Sequence, residues 1–182
     1  MRPALPACAV PPGAAMADLI FWSDDQRFGL FLPAGLFAEL CALCQAAGEA
    51  ETGGVLVGWY TEARDCAVVT QIGQPPSDSR RGRATFVRGT RGLKKMLEEA
   101  GERDGSRYLG EWHFHPGASP VFSHVDAEQM TRIANSRSAN CPEPILLILG
   151  GGAPNGWEPS VHVFPRGQPP VGLPLQTREL TA

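Results

Sequence analysis

Residues 107–126 read RYLGEWHFHPGASPVFSHVD. An apolar and aromatic run ends at His113 and His115, one residue apart, and Pro116 follows at once. A run of this composition and length reads as a strand. Alternate strand side chains share a face, so His113 and His115 project together while Phe114 enters the opposite layer. Trp112 and Phe114 are then core residues. Pro116 halts the strand and leaves His115 at the mouth of a loop, where sites tend to be open. A helix runs from Ser123 to about Asn135 and carries Asp126 in its first turn. Two imidazoles on one face, met by a carboxylate from a helix start, form a donor set for one divalent ion and leave a fourth tetrahedral position to water. His124 would face away from Asp126, whereas His162 stays open as a further donor. SHVD also reads as a capping box, Ser123 capping and Asp126 bonding back. That reading covers Ser123 and Asp126 but leaves the paired histidines unexplained.

Working outward, LIFW (19–22) and FGLFL (28–32) flank a polar turn and predict a hairpin. Pro33 opens a helix to about Ala47, with Leu36, Phe37, Leu40, Cys41 and Cys44 on one face. GGVLVGWY (53–60) and CAVVTQIG (66–73) read as strands around the turn TEARD. GQPPSDSRRGR (73–83) reads as an exposed loop, followed by a short strand, ATFV (84–87). A helix from Thr90 to about Gly101 places Leu93, Met96 and Leu97 on one face and is closed by GERDG. PILLILG (144–150) has the make-up of a buried strand and WEPSVHVFP (157–165) that of an edge strand. There is no βαβ repeat. The expected class is α+β, a central mixed β-sheet flanked by helices. One domain over 17–166 is expected, after a disordered, proline-rich leader over 1–16 and before a C-terminal tail, 167–182. Met16 is an alternative start.

A net charge of −3 and a pI near 5.8 offer no bulk attraction to nucleic acid or to anionic lipid. No apolar run approaches the ~18 residues that span a bilayer. The five cysteines, Cys8, Cys41, Cys44, Cys66 and Cys141, form no regular framework and suit a reducing cytoplasm. Cys41 and Cys44, in an apolar helix, read as core.

HFHPGASPVFSHVD, together with ETGGVLVG (51–58), resembles the JAMM motif of the JAB/MPN metallopeptidases. The motif pairs E-x-x-G-x-L-x-G with H-x-H-P-x6-S-x-x-D, and Glu51, Gly54, Leu56, Gly58, His113, His115, Pro116, Ser123 and Asp126 fill it. YLGEW looks like the bacterial branch found beside ubiquitin-like conjugation enzymes and, in several cases, anti-phage signalling. The resemblance implies a JAB/MPN (cytidine-deaminase-like) fold, with His113, His115 and Asp126 binding Zn2+. It implies that Glu51 takes a proton from the activated water and passes it to the leaving amine, and that Ser123 bonds the developing oxyanion. Both roles are chemically sound. The implied partner is a ubiquitin-like protein with a C-terminal glycine, with activating and conjugating enzymes encoded nearby. Glu49 reads as structural. Glu111 shares the face of His113 and is placed to orient it from behind, where many relatives carry an aromatic. No Cys/His cluster between Asp126 and Pro144 matches the second zinc of linkage-selective members.

Two other functions fit the same residues. One is release of an amino acid, such as cysteine, from a sulfur-carrier protein ending in Gly-Gly. The other is a binding module whose metal only holds the fold, which requires the ion to be saturated by protein ligands. A Gly-Gly tail can lie extended along a strand edge, with Gly53-Gly54 and residues 73–88 as candidate walls. Arg80, Arg81 and Arg83 are candidate contacts for an acidic patch.

Overall fold

The computed structural model describes residues 17–83, 85–152 and 154–176. The leader expected over 1–16, Cys8 and Ala84 of the ATFV strand lie outside them. The strands are β1 Leu19–Trp22, β2 Gly29–Leu32, β3 Thr52–Tyr60, β4 Cys66–Ile72, β5 Arg80–Arg81, β6 Phe86–Val87, β7 Arg107–Pro116, β8 Ile145–Gly152, β9 Gly156–Val163 and β10 Val171–Gly172. The helices are α1 Ala34–Ala47, α2 Leu93–Asp104 and α3 His124–Asn135. Eight strands form one mixed sheet in the order β1-β2-β4-β3-β7-β8-β9-β10, and β5 and β6 form a separate two-stranded hairpin. The expected α+β class, with a central mixed sheet flanked by helices, is what the chain adopts.

The apolar periodicity sorts the helices onto the two faces. Phe37, Leu40, Cys41 and Cys44 of α1 pack on Leu56, Trp112, Phe114, Leu147 and Leu149. On the other face Met130 of α3 meets Leu146, Ile148 and Phe164. Ala100, Met96 and Leu97 of α2 meet Val55, Val57 and Tyr108 there. β8 is apolar on both faces because both are covered. Cys41 and Cys44 are core thiols, as expected, and burial pushes Cys41 up to about 12.

Several boundaries differ from the sequence reading. α2 starts at Leu93 rather than Thr90, because Gly92 sits at φ +81 in the left-handed region, and it continues through the GERD segment to a second left-handed residue, Gly105 at φ +75. The 73–83 segment is not all loop, since Arg80 and Arg81 pair with Val87 and Phe86. β9 is not an edge strand, because Val171 and Gly172 pair with Val163 and His162. Beyond it, Gln176 N–H donates to the Ile20 carbonyl at 2.7 Å and Trp22 N–H to the Pro174 carbonyl at 3.2 Å. Residues expected as tail therefore stitch the end of the sheet to β1, with Leu173 buried between. The curled sheet covers both its own edges.

Candidate metal centre

Three elements converge at one end of the sheet. β3 and β7 run antiparallel with Thr52 opposite Phe114 and Gly53 opposite His113, so Glu51, one residue before β3, comes level with His115. The third element, the first turn of α3, follows β7 through the loop 117–122.

His113 is buried, and its Nδ1 lies 2.9 Å from Asp126 Oδ1. His115 is half-buried on the same face of β7. One donor atom from each of His113, His115 and Asp126 lies within 4.8 Å of the others. Donors about 2.0 Å from a shared tetrahedral ion stand about 3.3 Å apart, so small side-chain adjustments close the set. Among the described residues no other group of three His, Cys, Asp or Glu is placed to hold an ion. His124 is exposed and faces Glu128 at 3.1 Å. His162, left open by the sequence, packs edge-on against Phe122 at 4.8 Å and is not in the group.

The electrostatics suit a cation. Burial alone pushes the His113 imidazole down, yet Asp126 and Glu111 outweigh it and raise it to about 9. Burial would raise Asp126, but His113 and the Ser123 donors hold it at about 2. Two carboxylates thus enclose a buried imidazole whose Nε2 has no hydrogen-bond partner. The negative potential and the N, N, O donor chemistry of His113, His115 and Asp126 fit a divalent metal such as zinc. The Glu51 carboxyl, half-buried beside the set, is raised by burial and by Asp126 and lowered by His115 and His113. It is therefore better able to accept and return a proton than an exposed glutamate.

Ser123 caps α3: its Oγ accepts from Asp126 N–H at 3.2 Å and donates to Asp126 Oδ2 at 2.8 Å. Ser123 N–H donates to the same Oδ2 at 2.7 Å, completing the capping box. The box occupies Asp126 Oδ2 and leaves Oδ1 facing His113. Glu111 stands on the His113 face, as the strand periodicity requires. What the sequence reading missed is its company: Arg88, Tyr108 and Gln129 all donate to it. Gln129, three residues after Asp126 on a helix, was readable from spacing. Arg88, far off in sequence, had no local signal. A cleft of about 840 Å³ opens on the other side of β7, lined by Phe114, Pro116, Trp157 and Glu158 among others, and none of the three clustered donors lines it.

Comparison with known proteins adds three findings. A family model described as prokaryotic homologs of the JAB domain matches residues 33–162. A curated protein of Enterobacter hormaechei subsp. hoffmannii (strain UCI 50), named "CD-NTase/cGAS isopeptidase", is 38% identical over 159 residues, 87% of this chain and 88% of that one. The solution structure of protein DSY2949 from Desulfitobacterium hafniense is similar with a TM-score of 0.55, covering 78% of this chain and 86% of that one at 19% identity, a likeness of fold.

Proposed function

We propose, because this chain belongs to the family of prokaryotic homologs of the JAB domain, that it is a zinc-dependent isopeptidase cleaving after the C-terminal glycine of a ubiquitin-like protein. The observation that carries the reading is the convergence of Glu51 with His113, His115 and Asp126 at one end of β3 and β7. A bound divalent ion would make water a competent nucleophile near neutral pH and polarise the scissile carbonyl. His113, His115 and Asp126 would hold it. Glu51 would take the proton released by the attacking water and deliver it to the leaving amine. Ser123, an exposed residue at the start of α3, would turn its Oγ from Asp126 Oδ2 and donate to the developing oxyanion.

The Enterobacter relative is named as an isopeptidase of CD-NTase/cGAS. An isopeptide joins a C-terminal carboxyl to a lysine amine, so such a nucleotidyltransferase would be one of the two joined chains. We extend that class of target to this protein, with anti-phage defence as its setting. The same name favours deconjugation over release of cysteine from a sulfur carrier. Work in the cytoplasm suits the free thiols Cys41, Cys44, Cys66 and Cys141. Among the described residues no helix is long and apolar enough to cross a membrane.

The test is Glu51→Ala, loaded with zinc and given a ubiquitin-like C-terminal fusion. Zinc stoichiometry should match the wild type, while the cleavage rate falls by about 10²–10⁴. Full cleavage by the loaded variant would refute the role given to Glu51.

A further inference from the structure

We propose that the ion pair between half-buried Arg88 and buried Glu111 positions His113 and the β5–β6 hairpin as one unit, which makes Glu111 a positioning residue of the metal centre. The inference rests on the reading of His113 as a ligand. Glu111 is completely buried, two residues before His113 on the same face of β7. Its Oε1 accepts from Arg88 Nε at 3.0 Å, Arg88 Nη2 at 2.8 Å and Tyr108 OH at 3.2 Å. Its Oε2 accepts from Gln129 Nε2 at 2.7 Å. The same Oε2 lies 3.8 Å from His113 Nε2, the ring nitrogen that lacks a partner.

The two nitrogens of His113 thus face different carboxylates. Nδ1 looks at Asp126, within the donor set, and Nε2 looks at Glu111. A carboxylate behind an imidazole selects the tautomer with the proton on its own side, which leaves the far nitrogen's lone pair for a cation. A shift of roughly 0.8 Å brings Nε2 and Oε2 to hydrogen-bond distance. Arg88, Tyr108 and Gln129 fix the Glu111 carboxylate from three sides and so hold Oε2 toward His113.

The same carboxylate gathers the walls of the site. Arg88 lies two residues past Phe86, whose ring packs edge-on against His113 at 5.7 Å. Gln129 lies three residues past Asp126 on α3. A shift of the hairpin or of α3 is therefore felt at Glu111 and, through it, at His113. Stability alone does not call for this arrangement, since apolar residues of similar volume fill such a space at least as well.

The experiment measures zinc affinity by chelator competition and the melting of the metal-free chain. It compares the wild type, Glu111→Gln and the double variant Arg88→Met/Glu111→Met. The single variant strands the Arg88 charge and should melt early; the double strands none and should melt nearer the wild type. Both should bind zinc 10–100-fold more weakly. The cobalt-substituted double variant should show a shifted visible spectrum, which a purely structural role would not produce. If either variant fails to fold, Arg88→Lys carries the readout, with a several-fold loss expected because it keeps the charge but not the two-pronged contact. Wild-type affinity in a folded variant overturns the positioning role. A wild-type chain that takes up no zinc overturns the metal reading beneath it, a distinguishable result.

Discussion

Replacing Gly54 by alanine isolates the packing content of the ETGGVLVG segment from its chemistry. Gly54 lies opposite Trp112 in the β3–β7 ladder. A Cβ built there collides with the Gly73 carbonyl oxygen and comes 2.7 Å from Trp112 Nε1. Those two atoms are hydrogen-bonded to each other at 2.9 Å, within a fully buried layer. The methyl group must part them or push β4 away from β3. Stranding the indole N–H costs about 1–3 kcal/mol. Overpacking a filled layer costs about 1–3 kcal/mol more. The lower entropy of the unfolded alanine chain returns about 0.4–1 kcal/mol. The net is a loss of about 2–5 kcal/mol, or roughly 5–20 °C in Tm for a chain of this size. Urea and thermal unfolding, followed by far-UV circular dichroism, measure it. Gly35→Ala is the control, because Gly35 lies in α1 with open space around it, and alanine there should cost nothing and stabilise by about 0.5–1 kcal/mol. If Gly54→Ala costs no more than the control, the close approach of β3 to Gly73 and Trp112 does not exist as described. Zinc affinity should fall as well, because Trp112 lies between Glu111 and His113 on β7 and cannot move alone.

Three further outcomes follow from the site. Chelation should abolish cleavage while the far-UV spectrum persists, because β7 and α3 are held by apolar layers that contain none of His113, His115 and Asp126; unfolding on chelation would instead favour an ion that merely holds the fold. Ser123→Ala removes an acceptor for Asp126 N–H and a donor to Oδ2, so stability should drop by about 1 kcal/mol and turnover by roughly 10²–10³; wild-type turnover in a kinetic assay would remove Ser123 from the oxyanion role. Reversing the exposed charges of Arg80 and Arg81 should slow cleavage of a protein substrate while sparing a short peptide, and equal loss on both would count against a recruiting surface.

What could be read from the sequence was whatever local spacing encodes. β7, α3 and the meeting of His113, His115 and Asp126 between them follow from a two-residue period, a proline stop and a capping serine, all within twenty residues. The approach of Glu51 to that face came through the motif resemblance, because the β3–β7 register that creates it joins residues some sixty positions apart. The seam that closes the sheet was illegible for the same reason. Gln176 bonding to Ile20 depends on the curl of eight strands, and nothing near either residue signals it. The end of α2 was misplaced because Gly101 was read as a breaker. A single glycine costs only about 1 kcal/mol in a helix interior, whereas Gly105 in the left-handed region stops the helix outright. Arg88 went unread because an ion pair between a short hairpin and a buried strand has no periodicity at all.

Ser123-x-x-Asp126 carries two explanations in sequence, a helix cap and a metal ligand, and they look like rivals because each accounts for the same two residues. In the structure the two readings fall on different oxygens. Asp126 Oδ2 takes both Ser123 donors, while Oδ1 faces His113. The cap therefore does more than end a helix: it spends one oxygen to fix the rotamer of the other. A ligand already locked by two hydrogen bonds loses little freedom when an ion arrives. The converse also holds. Asp126→Glu keeps the charge, but its extra methylene forces one choice between capping and facing His113. It should therefore lose zinc affinity even though a glutamate at this position suits a capping box well. If Asp126→Glu instead binds zinc as tightly as the wild type, the division of labour between the two oxygens is not what holds the ligand.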